Sequence, residues 1–203
     1  SLKYLLIDHR YNAPERALLA GAVREGDVIC DIGANIGFYT LWLASLGVPR
    51  TTVVAIEPNP AVYAALSENV RLNGYANVVT VHAAVGERDG DVSFGVVKDA
   101  PSVGSVLAKD AEQITVPMRK LSTILAENGL TRCDVLKIDV EGYEYQALMP
   151  YLSATPVESW PRLLVVENNH RASQWEGDLI SEFLRNGYRI ALRTRGNIVL
   201  EKA

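Results

Sequence analysis

The sequence predicts an α/β protein built on a doubly wound, mostly parallel sheet with an antiparallel hairpin at its C-terminal end. Three observations lead there. Short apolar runs recur at residues 28–30, 52–56, 78–81, 134–140 and 163–166, as strands buried on both faces require. Segments with apolar residues at helical spacing alternate with most of these runs. Residues 188–193 and 197–200 then read as two strands about the turn Arg195-Gly196-Asn197.

A helix is expected to start at Asn12-Ala13-Pro14-Glu15, with Asn as N-cap, Pro in the first turn and Glu near the positive end of the dipole. Glu15 is either such a first-turn charge or a carboxylate that reaches a ligand's amino group. Glu25-Gly26-Asp27 turns into the stretch VICDIGANIGFYTLWL at 28–43. There a buried strand, a glycine turn and a helix N-terminus follow one another, which aims backbone N–H groups and a positive dipole end at a ligand. Gly33 and Gly37 admit close approach, and Asp31 can accept from the turn or from a ligand ammonium. A pyrophosphate cradle counted from Gly33 needs glycine where Asn35 and Phe38 stand. That disfavours a nicotinamide dinucleotide and suits a ligand without phosphates, such as S-adenosylmethionine.

Gly47-Val48-Pro49 ends this helix, and the strand at 52–56 stops at Glu57-Pro58-Asn59-Pro60. Glu57 stands 24 residues beyond Gly33, at the strand end where doubly wound folds hold ribose hydroxyls. A helix over 60–73, capped by Gly74, leads to the strand at 78–81 and to His82-Ala83-Ala84. His82 reads as a strand-end histidine. The small residues after it, Ala84 included, leave room for an adenine ring beside Glu57 and Pro58. Residues 92–96 alternate as an added strand, 100–105 form a small-residue loop of the kind that covers a site, and 114–116 are extended before a helix at 121–128.

In the fourth core strand, DVLKIDV at 134–140, alternation places Lys137, Asp139 and, if the chain stays extended, Glu141 on one side. Three ionisable groups at the mouth of a buried strand are costly unless paired or functional. Lys137 is therefore expected to neutralise a carboxylate, and Asp139 to face a ligand outside the strand's carboxyl end. The fifth strand ends in a second polar cluster, Glu167-Asn168-Asn169-His170. A helix over 175–186, closed by Gly187, precedes the hairpin.

The 203 residues suit one domain, with 1–26 as a helical lead-in and 27–203 as the core. Hydrophobic content of 48% supports a packed chain over a disordered one. A net charge of −4 with no basic run disfavours nucleic acid and anionic membranes as partners. No apolar stretch reaches the ~18 residues of a membrane span. Cys30 and Cys133 read as reduced core thiols, consistent with a cytoplasmic setting.

DIGANIGFYTL at 31–41, EPNP at 57–60, AAVGERDG at 83–90 and LKIDVEGYE at 136–144 together resemble the FkbM family of S-adenosylmethionine-dependent methyltransferases. The resemblance implies the seven-stranded, Rossmann-like class I methyltransferase version of the doubly wound sheet. It implies cofactor contacts from Asp31, Gly33, Asn35, Gly37 and Glu57, with residues 139–142 bordering the transferred methyl. It also implies O-methylation of a small-molecule or glycan hydroxyl, on a sugar or natural-product-type unit. N-methylation at the same site and a non-catalytic module that binds S-adenosylmethionine stay open. A hydroxyl must shed a proton to attack, and Asp139, Glu141 and His170 are the candidate bases. Asp139, Glu167 and Asn168 also resemble the magnesium triad of catechol O-methyltransferases, which makes Mg²⁺ a candidate second cofactor.

Overall fold

The computed structural model describes residues 12–97, 104–168 and 175–203. At its centre lies β1 (Val28–Ile32), paired in parallel with β2 (Thr52–Ile56) on one side and β8 (Val135–Ile138) on the other. β3 (Val78–Val81) extends the first side, and β9 (Leu163–Glu167), β11 (Asn197–Lys202) and β10 (Tyr188–Arg193) extend the second. The order is β10-β11-β9-β8-β1-β2-β3, with β11 antiparallel to both neighbours. All five residues of β1 and all four of β8 are buried, which is why these strands are apolar apart from Asp31 and Lys137.

Helices cover both faces. Leu19 of α1 (Ala13–Ala22) and Leu43 of α2 (Phe38–Ser45) pack with Ile29, Val53, Val135 and Val165 on one face. On the other, Ile32, Val54 and Leu136 meet Ile124 of α4 (Leu121–Glu127), Leu148 of α5 (Glu144–Ala154) and Phe183 of α6 (Leu179–Arg185). α3 (Pro60–Asn73) packs Leu66 and Val70 with Ala34 and Ala55. It is bounded as expected: Asn59 Oδ1 accepts from the Ala61 N–H at 3.0 Å, and Gly74 closes the helix at φ 69°. Among the described residues no helix is long and apolar enough to cross a membrane.

A second sheet is inserted between β3 and α4. It joins β4 (Ala84–Val85), β7 (Glu112–Arg119), β5 (Gly90–Val96) and β6 (Gly104–Ser105) in the order β4-β7-β5-β6. The extended pieces expected at 92–96 and 114–116 are antiparallel partners here, with Val92 opposite Val116. Ala84, Phe94 and Val116 form a small core beneath them.

Four local expectations need correction. Asn12 makes no side-chain cap: it sits at φ 49° and its amide donates to the Tyr39 hydroxyl at 2.8 Å. The fourth strand stops at Ile138, because Glu141 turns the chain at φ 58° before Gly142 at φ 100°. α6 begins only at Leu179, where the Asp178 carboxylate accepts from the Ser181 N–H. α5 has no counterpart in the sequence reading; Pro150 lies inside it, and buried Ala147, Leu148, Tyr151 and Leu152 hold it to the core despite the proline.

Candidate active site

The strand order reverses between β1 and β8, and the carboxyl ends there open into a cavity of about 810 Å³. Its floor is the turn after β1, where the N–H groups of Gly33 and Ala34 both donate to Ile56 O at 3.0 Å. Gly33 sits at φ 73°, and a Cβ there would lie 1.9 Å from the Asp139 carbonyl oxygen. Only glycine lets the turn press so closely on the exit of β8.

Glu57 stands at the end of β2 with both carboxylate oxygens fixed. Oε2 accepts from the Asn35 N–H at 3.0 Å and Oε1 from the Asn59 N–H at 2.9 Å. Burial pushes its pKa up to about 7, against the pull of those two N–H groups and of Lys137. Each oxygen keeps acceptor capacity beyond its one backbone partner.

Lys137 rises from β8 behind the turn and is 7% exposed. It donates to Gly33 O at 3.0 Å and lies 3.6 Å from both Asp31 Oδ1 and Asp139 Oδ2. Burial opposes its charge, but Asp139, Asp31 and Glu167 outweigh burial and hold its pKa above the ordinary lysine value. Lys137 is thus the expected neutraliser. Asp31 is fully buried and also accepts from Thr40 Oγ1 at 2.6 Å.

Glu167 lies beside Asp139 on the neighbouring strand. Burial first, then the charges of Asp139 and Glu141 and a hydrogen bond with Asp139, push its pKa up to about 9. Burial and the neighbouring carboxylates thus favour the protonated form of Glu167.

Gly33, Asn35, Glu57, Pro58, Ala84, Asp139, Glu141 and Glu167 all line the cavity. Asp31, Gly37, Glu15 and Asn168 do not. Gly37, at φ 96°, starts α2 and presses on Leu66, where a Cβ would lie 2.8 Å from Cδ1. Glu15 is 1% exposed and accepts from the Tyr39 hydroxyl at 3.1 Å, Thr194 Oγ1 at 2.8 Å and Asn197 Nδ2 at 3.1 Å. Asn168 instead faces a shallower depression beside Trp175 and Ile198. Of the three proposed magnesium ligands, Asp139 and Glu167 are together and Asn168 is apart, and among the described residues no group of three or more His, Cys, Asp or Glu is placed to hold a metal ion. His170, and the covering loop around Ser102 and Asn169, lie outside the described residues.

Several wall residues escaped the sequence reading. The hairpin turn contributes Thr194 and Asn197, α2 contributes Tyr39, and the inserted sheet contributes Phe94 and Val106. Their only sequence signals were a turn motif and ordinary apolar alternation. Conversely, His82 is a strand-end residue as expected, its Nε2 2.9 Å from Pro58 O and its ring stacked on Tyr63.

This architecture is that of the Rossmann-like class I methyltransferases. It is similar to the crystal structure of methyltransferase FkbM from Methylobacillus flagellatus KT, with a TM-score of 0.59 at 21% identity, over 89% of this chain and 44% of that one. The family model of the Methyltransferase FkbM domain matches residues 31–190. The chain is 30% identical over 199 residues to the 31-O-demethyl-FK506 methyltransferase FkbM of Streptomyces tacrolimicus, across 83% of this chain and 75% of the relative. The protein belongs to the FkbM methyltransferase family. It is also 31% identical over 134 residues to the hexuronic acid methyltransferase AglP of Haloferax volcanii, across 64% of this chain but only 52% of that relative.

Proposed function

We propose that the protein transfers a methyl group from S-adenosylmethionine to a hydroxyl oxygen of a sugar or natural-product-type small molecule. Glu57 carries this reading. Its carboxylate is held by two backbone N–H groups at the cavity wall and can accept from both ribose hydroxyls at once. Ala83 and Ala84 line the same cavity with small side chains, where the base would lie. The cavity volume lies within the range of small-molecule sites, about 300–1,000 Å³. Both relatives named above are called methyltransferases of such compounds, an FK506 precursor and a hexuronic acid.

S-adenosylmethionine supplies a methyl bound to positively charged sulfur. The chain has to align an acceptor oxygen with it, which is worth about 7–11 kcal/mol of the barrier when the geometry is right. Asp139 or Glu141, both lining the cavity, takes the hydroxyl proton as it leaves, a role worth about 10²–10⁴-fold. His170 is the third candidate base. This reading assigns magnesium no role, because Asn168 lines a different depression from Asp139 and Glu167.

The test is calorimetry with S-adenosylmethionine and S-adenosylhomocysteine, followed by methyl transfer to a panel of hexoses, hexuronic acids and a polyhydroxylated macrolide. Saturable nucleoside binding lost in Glu57→Ala, with O-methyl product formed at an unchanged rate in excess EDTA, is the expected result. Absence of nucleoside uptake would refute the reading. Product methylated at nitrogen when aminosugars are added to the panel would move the chemistry to the N-methyl alternative.

A further inference from the structure

Glu141 lies in the left-handed region at φ 58°, next to Gly142 at φ 100°. A long acidic side chain is strained there, and glycine would adopt that conformation more readily. Strain of this kind persists only where surrounding contacts over-determine it.

Those contacts come from two residues that the methyl-transfer reading does not otherwise use. The Glu144 carboxylate, 1% exposed, accepts from the N–H of Val140 at 3.0 Å and of Gly142 at 3.2 Å through a single oxygen, Oε1. It thus grips the residues on either side of Glu141. Its other oxygen accepts from the Trp175 indole N–H at 2.7 Å, which anchors the grip to the segment leading into α6. From the opposite side Ser105 Oγ, in the inserted sheet, reaches the carbonyl oxygens of Val140 at 3.3 Å and Glu141 at 3.2 Å. Ser105 is itself fixed by the Leu107 N–H at 3.2 Å. The backbone N–H groups on both sides of the strained residue, and the carbonyls of Val140 and Glu141, are thus met by two buried side chains from separate parts of the chain.

We infer that Glu144, assisted by Ser105, is a positioning residue that locks the turn after β8 so that the Glu141 carboxylate faces the acceptor end of the cavity. This rests on the methyl-transfer reading and deepens it. The clamp gives the inserted sheet a task in the site, since Ser105 ties it to the turn that bears the acidic wall. Glu144 touches neither ligand in this account, and it acts through Glu141 alone.

The experiment has an arm that needs no acceptor. A thermal double-mutant cycle pairs Glu141→Gly with Glu144→Ala in the full chain. In the wild-type background Glu141→Gly is expected to raise Tm by about 2 °C, because the strain is relieved. In the Glu144→Ala background that gain is expected to vanish, because the freed turn has already relaxed. An equal gain in both backgrounds, or none in the wild type, overturns the clamp. The second arm uses whichever panel compound the wild type methylates. Glu144→Ala should lower kcat on the order of 10²-fold while S-adenosylhomocysteine affinity, read by calorimetry, stays within about threefold. Glu144→Gln combined with Trp175→Phe should recover most of that loss, since an amide oxygen still accepts from Val140 and Gly142 and no indole donor opposes the amide nitrogen. An unchanged kcat in Glu144→Ala, or no recovery in the double variant, refutes the positioning role. If no panel compound is methylated by the wild type, the methyl-transfer reading fails while the thermal cycle still decides whether the clamp exists.

Discussion

At the scale of single residues, the ribose contact proposed for Glu57 predicts that nucleoside binding depends on pH. Its pKa near 7 in the folded chain stands above the ordinary 4.5 because burial disfavours the charge. A raised carboxylate pKa means that its contribution to stability is full below about pH 4.5 and is lost as pH rises through about 7. Hydroxyls that donate to the carboxylate reverse that preference. S-adenosylhomocysteine should therefore bind more tightly as pH rises from 6 to 8, and binding near pH 6.5 should release a proton. Calorimetry in buffers of different ionisation enthalpy reads that release, and Glu57→Ala should abolish it along with most of the affinity. Glu57 was legible in the sequence because one number, its distance from Gly33, placed it at the correct strand end. Glu15 was not. Its first-turn position pointed toward the dipole, whereas its partners Thr194 and Asn197 lie 179 and 182 residues away, beyond any local pattern.

At the scale of elements, the glycine turn after β1 decides whether the site can form. Gly33→Ala would combine φ 73° with a Cβ 1.9 Å from a backbone carbonyl, and backbone gives way only if β8 or the turn moves. A loss above about 4 kcal/mol is expected in urea unfolding. Gly74→Ala, at φ 69° with nothing within 4 Å of the added atom, should cost only about 1 kcal/mol. Equal losses would mean that conformational freedom, not close approach, explains Gly33. The core strands were readable because burial on both faces leaves short, mostly apolar runs. The inserted sheet was read only in pieces, since the pairing of β5 with β7 depends on register across the intervening residues. α5 escaped because a local helix-breaker was overruled by packing, which a window of sequence does not contain.

At the scale of the whole molecule, the buried carboxylate of Glu15 fastens α1 to Tyr39 on α2 and to the hairpin turn between β10 and β11. That turn supplies Thr194, Arg195 and Asn197 to the cavity, so a residue that does not line the cavity governs one of its walls. Glu15→Ala removes the acceptor of one buried donor, Tyr39, and of two half-buried ones, Thr194 and Asn197, and should cost about 3 kcal/mol, or roughly 6–12 °C in Tm. Glu15→Gln should cost under about 1 kcal/mol, because its carbonyl oxygen still accepts from Thr194 and Asn197 while the Tyr39 hydroxyl turns to accept from the amide. Denaturation and calorimetry on the same samples separate this tie from the ligand contact that the sequence offered. If Glu15 is a tie between distant elements, stability and nucleoside affinity fall together in Glu15→Ala and are both kept in Glu15→Gln. If it meets the ligand's amino group directly, affinity falls in both variants, and in Glu15→Gln it falls without the loss of stability.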